Sequence, residues 1–183
     1  MNPSRSLLVL LLAAPLTTGC LGAGHSVNAY YGARSLDNDD FDDLEDQEVY
    51  GLDGVLKLEL PLLAVEGGWQ RAEADDDSTA GLVDPELEID EYFVGLRLVP
   101  WEILIAPYAS AGATYLDGSL DATGVSDDDE TIAFYARLGA ALTFGLFRIG
   151  VDGRATFGSD VEFNGSDTDV DNYQITGFVG IGL

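Results

Sequence analysis

The sequence predicts an all-β fold, an eight-stranded antiparallel up-and-down transmembrane β-barrel, and three observations predict it. Eight stretches alternate apolar with small or polar residues, the period of a strand whose two faces meet different surroundings. Each stretch carries an aromatic on its apolar parity, in order Tyr31, Tyr50, Trp69, Tyr92, Tyr115, Phe134, Phe157 and Tyr173. In antiparallel strands these fall late in odd strands and early in even ones, so all eight lie at one level, as an aromatic girdle at a membrane–water interface does. Finally, the connections between stretches alternate strictly between short and long.

Taken in order, the first stretch, 26–35, places Val27, Ala29 and Tyr31 on one parity. The second, 49–60, repeats this with Leu52, Leu56 and Leu58, and the third, 62–71, with Leu63, Val65 and Trp69. The fourth, 92–99, has Val94, Leu96 and Leu98, and the fifth, 101–116, has Ile103, Ile105 and Ala109. Leu138, Leu142 and Phe144 mark the sixth, 131–144, and Phe147, Ile149 and Val151 the seventh, 146–157. The eighth, 172–183, has Ile175, Val179, Ile181 and Leu183. The opposite parity carries Gly32, Gly51, Gly68, Gly95, Gly112, Gly139, Gly150, Gly180 and Gly182, with nearly all the strand charges.

The three short connections lie around Pro61, Pro100 and Gly145, so a barrel gathers them on one side and the long connections on the other. An even strand number returns both termini to the short-turn side. Trp101, Phe144 and Phe147 add a lower aromatic band there. The competing fold is a soluble lipocalin-like barrel with the same alternation turned inside out. Its outer face would then be rich in glycine, which weakens strands and packs nothing. An eight-stranded interior is just wide enough for side chains to fill. That suits glycine, small polar residues and a few long charged ones, so the apolar parity faces lipid.

The net charge of −25 is unevenly spread. Of the 33 acidic residues, 28 lie in segments 37–48, 73–91, 117–130 and 160–171, which hold eight, nine, six and five. These are the long connections, and none of them contains Lys or Arg. On the strands, Arg34, Asp53, Lys57, Glu59, Glu66, Arg97, Glu102, Arg137, Arg148, Asp152 and Arg154 take the interior parity. Buried charges come paired or hydrogen-bonded. Short-turn registers place Lys57 opposite Glu66, Arg97 opposite Glu102, and Arg137 close to Asp152 and Arg154. This network reads as a satisfied polar core, with a narrow small-conductance channel as the alternative; a wide pore needs about 16 strands. Arg71 has the lipid-facing parity two residues beyond Trp69, at the level of the outer headgroups.

The first residues read as an export signal. Arg5 precedes an apolar run over 7–16, too short to span a bilayer as a helix. The run ends Leu16-Thr17-Thr18-Gly19-Cys20, which resembles a bacterial lipobox, with Thr17 at the place where leucine is usual. The expected division is a signal peptide over 1–19, a short linker over 20–24 behind a lipidated Cys20, and an outer-membrane barrel over 25–183. A cut after Gly24 is the alternative.

Acidic runs such as Asp167-Thr168-Asp169-Val170-Asp171 invite a calcium reading, but Asn172 and Phe178 stand where an EF-hand needs glycine and glutamate. The expectation is loosely held divalent cations, with no cofactor and no specific metal site. Anionic loops also argue against nucleic-acid binding, which needs basic patches. The single histidine, His25, stands at the start of the first strand, and no serine has a neighbouring histidine as a general base, so no enzyme activity is expected.

The eight stretches, the girdle and the closing run Tyr173-Gln174-Ile175-Thr176-Gly177-Phe178-Val179-Gly180-Ile181-Gly182-Leu183 resemble the small outer-membrane β-barrel family of the OmpA transmembrane-domain or OmpX type. The resemblance covers roughly 25 to 183 and departs at Leu183, where an aromatic is usual. It implies a monomer in contact with outer-membrane lipid, with a structural or surface-interaction role through its acidic extracellular loops. A soluble periplasmic lipocalin-like lipoprotein that binds a ligand follows if the barrel is inside out.

Overall fold

A strand with one greasy face leaves its backbone donors and acceptors to its neighbours, and in lipid every one of them needs a partner, so the sheet must close. The computed structural model shows that closure. It describes residues 25–36, 46–60, 62–75, 86–101, 104–122, 125–163, 166–169 and 171–183. The strands are β1 (Ser26–Leu36), β2 (Asp46–Lys57), β3 (Leu63–Asp75), β4 (Glu86–Leu98), β5 (Ile105–Ala122), β6 (Val125–Phe144), β7 (Phe147–Phe157), β8 (Asp160–Phe163), β9 (Ser166–Asp169) and β10 (Asn172–Gly182). Eight of them form one closed barrel in the order β1-β10-β7-β6-β5-β4-β3-β2, antiparallel throughout, and β8 and β9 pair as a separate ribbon.

The apolar parity faces outward. Leu138, Val151 and Ile175 are 68%, 62% and 74% exposed, whereas Arg34, Glu66 and Glu91 on the other parity are at most 1% exposed. Such a wall is compatible with acyl chains and not with water, which excludes the soluble inside-out barrel. The girdle residues meet across the strands. Tyr31 lies opposite Tyr50, Tyr92 opposite both Trp69 and Tyr115, and Phe134 opposite Phe157. The Tyr50 and Trp69 rings make an edge contact at 6.2 Å. Trp101, Phe144 and Phe147 are exposed beside the short turns.

Two features depart from expectation. The strands outrun the girdle: β3 and β4 pair up to Asp75 and Glu86, and β5 and β6 up to Ala122 and Val125. Much of the second and third acidic segments is therefore strand. Ladder hydrogen bonds join backbone to backbone, so the register continues past the last apolar residue as long as the strands stay paired. The interior is also less polar than expected, because Tyr30, Phe93, Tyr108, Tyr135 and Phe178 take the inward parity and are buried. The inward glycines make room for these rings. A Cβ at Gly51 would meet the Tyr30 ring at 2.7 Å, and one at Gly68 would meet Phe93 at 2.8 Å.

The short turns differ in strain. Gly145 has φ 63°, the left-handed start that a two-residue hairpin turn requires and that glycine adopts freely. Leu62 has φ 72° with a full side chain, so the β2–β3 turn carries local strain. It is held by hydrogen bonds from the Leu58 N–H to the Leu63 carbonyl and from the Val99 N–H to the Leu62 carbonyl.

Candidate functional site

Inward charges from six strands meet in two tiers. In the lower tier, Arg97 on β4 ion-pairs with Glu66 on β3 at 2.6 Å, and Tyr135 donates to the other Glu66 oxygen at 2.7 Å. Arg137 on β6 bridges two strands, reaching Asp53 on β2 at 2.9 Å and Asp152 on β7 at 2.6 Å. Tyr108 and Thr176 complete Asp152, donating at 2.8 and 2.9 Å. Asn28 donates to the second Asp53 oxygen. The Arg97 guanidinium also lies 4.0 Å from the centre of the Tyr108 ring, so its face is covered as well as its edge.

Glu91 on β4 is the hub of the upper tier. It accepts from Arg154, from Gln70 and, at 2.6 Å, from Thr114, and it stands 3.6 Å from Arg34. Gln70 reaches across to Gln174 on β10. Arg154 is sandwiched by rings, 4.3 Å from Tyr135 and 4.8 Å from Phe93. Arg137 and Arg154 lie directly opposite on β6 and β7, yet each has its own carboxylate and its own aromatic faces. Among the described residues, Arg34, Arg97, Arg137 and Arg154 balance Asp53, Glu66, Glu91 and Asp152 inside the barrel.

The eleven interior positions expected from parity distribute unevenly. Arg34, Asp53, Glu66, Arg97, Arg137, Asp152 and Arg154 are buried in the lumen, and Lys57 and Arg148 are half-buried at the short-turn mouth. Arg148 donates to the Ser26 hydroxyl at 2.6 Å. Glu59 is a correction: β2 ends at Lys57, so Glu59 falls in the turn and is exposed. Glu102 and Cys20 lie outside the described residues. The pairings also change. Val55, not Lys57, stands opposite Glu66, and Lys57 faces Ala64 because the β2–β3 turn is longer than a minimal hairpin. Arg97 pairs with Glu66 on the neighbouring strand, and its expected pairing with Glu102 falls outside the described residues.

Glu91 was missed, grouped with the loop acids because it ends an acidic run. The signal was present: it shares parity with Phe93, Gly95 and Arg97. At the rim, Arg71 is clamped bidentately by Asp90 at 2.9 and 2.8 Å and by Glu88 at 3.0 Å, and Trp69 donates to Asp90 at 3.1 Å. Like charges stand side by side around it, Glu48 opposite Glu73 and Glu73 opposite Glu88, then Asp90 opposite Asp117 and Asp117 opposite Glu130. Among the described residues no three acidic, His or Cys groups converge to hold a metal ion.

The sequence matches no family model and no curated protein. Solved structures do match. Neisserial surface protein A aligns at TM-score 0.68 and 12% identity, over 88% of this chain and 99% of its own. Ail, the attachment invasion locus protein of Yersinia pestis, aligns at 0.63 and 14%, over 88% of this chain and 100% of its own. The N-terminal β-barrel domain of Pseudomonas aeruginosa OprF aligns at 0.50 and 10%, over 88% of this chain and 100% of its own. The fold is that of the small eight-stranded outer-membrane β-barrels. In such a barrel the short turns are periplasmic and the long connections extracellular.

Aromatic and apolar side chains also occupy the lumen among the described residues. Between the two charged tiers lie Tyr135 and Phe93, and above Glu91 the lumen is lined by buried Val49, Ala72, Ile89 and Leu116. Planar bilayers holding the purified protein are expected to show no discrete conductance steps. Steps that vanish in Arg137→Ala would instead make the interior a gated path.

Proposed function

We propose that this chain is an outer-membrane surface protein that contacts cationic partners through its extracellular acidic connections. The observation that carries this reading is the β5–β6 hairpin, whose strands stay paired beyond the girdle out to Ala122 and Val125, a stretch whose sequence carries six acids from Asp117 to Glu130. Arg71, which stands at the rim, is neutralised by Glu88 and Asp90, so the surface offered outward is anionic. A field of one sign raises the local concentration of opposite charges and repels like ones. One Ail structure was solved with the heparin analogue sucrose octasulfate. The charge above this girdle selects the opposite ligand class. Divalent cations gather there loosely, and the barrel wall supplies the lipid contact.

The test is binding of polylysine and of sucrose octasulfate to the protein in nanodiscs of uncharged lipid. Polylysine is expected to bind, weakening steeply with salt, and the octasulfate is not. Replacing Asp127, Asp128, Asp129 and Glu130 by their amides is expected to weaken polylysine binding about tenfold, the sum of several exposed pairs. Equal binding of both probes would remove the reading.

A further inference from the structure

Gly177 has a different place from the glycines that make room for rings in the lumen. It takes the outward parity of β10, and a Cβ there would meet only the Gly150 carbonyl oxygen, at 4.0 Å. Packing inside the wall therefore does not require glycine at this position, and its small size acts on the outer surface instead. With Ala29 on β1 and Ala140 on β6 it lines a groove of about 760 Å³ in the lipid-facing wall. The ladder row Tyr31–Gly177–Val151–Ala140 crosses this groove. On the next outward-facing row Ile175 and Leu138 stand proud, 74% and 68% exposed. The groove runs from Tyr31 in the girdle to Ile105, where β5 begins at the short-turn end, so it crosses the apolar slab obliquely.

Its outer end meets charge of one sign. The Tyr31 hydroxyl hydrogen-bonds the exposed Glu48 carboxylate. Glu48 stands opposite Glu73 on β3, whose carboxylate accepts from Tyr50. Two neighbouring carboxylates at headgroup level repel each other and attract a cation, and the tyrosine rings beside them offer it their faces. Below that level the lining is aliphatic and aromatic. The medium there is hydrocarbon, and a groove left unfilled would forfeit van der Waals contacts along its length. A methylene group is close in size to a water molecule, whose share of liquid volume is roughly 30 Å³, so the groove has room for one acyl chain.

We propose that this groove is a binding site for an acyl chain of a lipid at the outer face, and that Glu48 selects a lipid whose headgroup carries an ammonium. The chain lies across β1, β10, β7 and β6 between Tyr31 and Ile105, and the ammonium sits over Tyr31 against Glu48. A second copy of the barrel is the competing occupant, and chains that each carry a net charge of −25 repel each other. The site uses neither the β5–β6 hairpin nor its acids, so this reading and the surface-contact reading can fail separately.

The experiment uses the full barrel in nanodiscs of equal parts phosphatidylethanolamine and phosphatidylglycerol with matched acyl chains. In separate samples one lipid or the other is spin-labelled on its chain, and backbone amide NMR signals are the readout. Labelled phosphatidylethanolamine is expected to broaden Ala29, Ala140 and Gly177 well beyond Val65 and Leu96, which pair on β3 and β4 across the barrel. It is expected to do so about threefold more than labelled phosphatidylglycerol, the preference that an exposed ion pair supplies. Glu48→Gln is expected to abolish that preference and leave the excess at the groove in place. Gly177→Leu with Ala140→Leu fills the groove from its lipid side; it is expected to keep heat-dependent migration on gels and to remove the excess. Equal broadening all round the wall would overturn the proposal, as would equal effects of the two labelled lipids or a double variant that broadens like the native protein. Broadening that falls when discs hold two barrels instead of one would give the groove to a second copy, and would overturn it too.

Discussion

Glu91→Ala is expected to destabilise the barrel more than any other single substitution in its interior. The change leaves Arg34 and Arg154 inside the lumen without their shared counter-charge and takes one acceptor each from Thr114 and Gln70. Breaking a buried pair from one side costs about 3–5 kcal/mol, because the remaining charge stays desolvated. Urea unfolding in lipid vesicles, followed by fluorescence and by heat-dependent migration on gels, would measure it. The partial exposure of Glu88 at the rim makes Glu88→Gln the control, expected within roughly 0.5 kcal/mol of the native protein. The triple change Glu91→Leu with Arg34→Met and Arg154→Met is expected to recover most of the loss, since apolar side chains of similar volume replace the buried ion pairs at little cost. A loss for Glu91→Ala no larger than that for Glu88→Gln would show that water fills the upper tier.

Leu138→Arg is the second large effect, on the other face of the wall. Leu138 lies midway between Phe134 in the girdle and Phe144 beside the short turn, and its side chain is 68% exposed. In lipid, arginine at such a midplane position costs about 2–4 kcal/mol, and about 0–1 near the interface. Ile132→Arg, two residues beyond Phe134 and 67% exposed, is therefore expected to be close to neutral although the substitution is the same. Equal costs at the two positions would mean that the aromatic ring does not mark the edge of the apolar slab.

Both predictions turn on which face a side chain takes, and that was legible in the chain from the period alone. Leu138 and Ile149 point outward, and Asp53 and Arg137 inward, because successive residues on a strand alternate, whatever the neighbouring strand does. Strand ends were less legible. Hydrophobic alternation stops at the girdle, but pairing does not, so β4 begins at Glu86 and β6 at Val125. Glu59 shows the opposite error, since continuing the alternation through a turn assigned an interior place to a residue that had already left the strand. The inward aromatics escaped notice because a ring fits the lumen only where the facing strand has glycine, as Tyr30 does over Gly51.

The sequence by itself determined the architecture: eight alternating stretches, a ring of aromatics, short and long connections in strict alternation, and acids kept to one end. What only the tertiary structure decided is which carboxylate serves which arginine. Arg97 finds Glu66 across 31 residues, Arg154 finds Glu91 across 63, and Arg137 finds Asp53 across 84. Alternation is a property of one strand and is written locally. These pairings depend on how the closed sheet staggers its strands and carries distant ones across a narrow lumen, and no short stretch of chain encodes that distance.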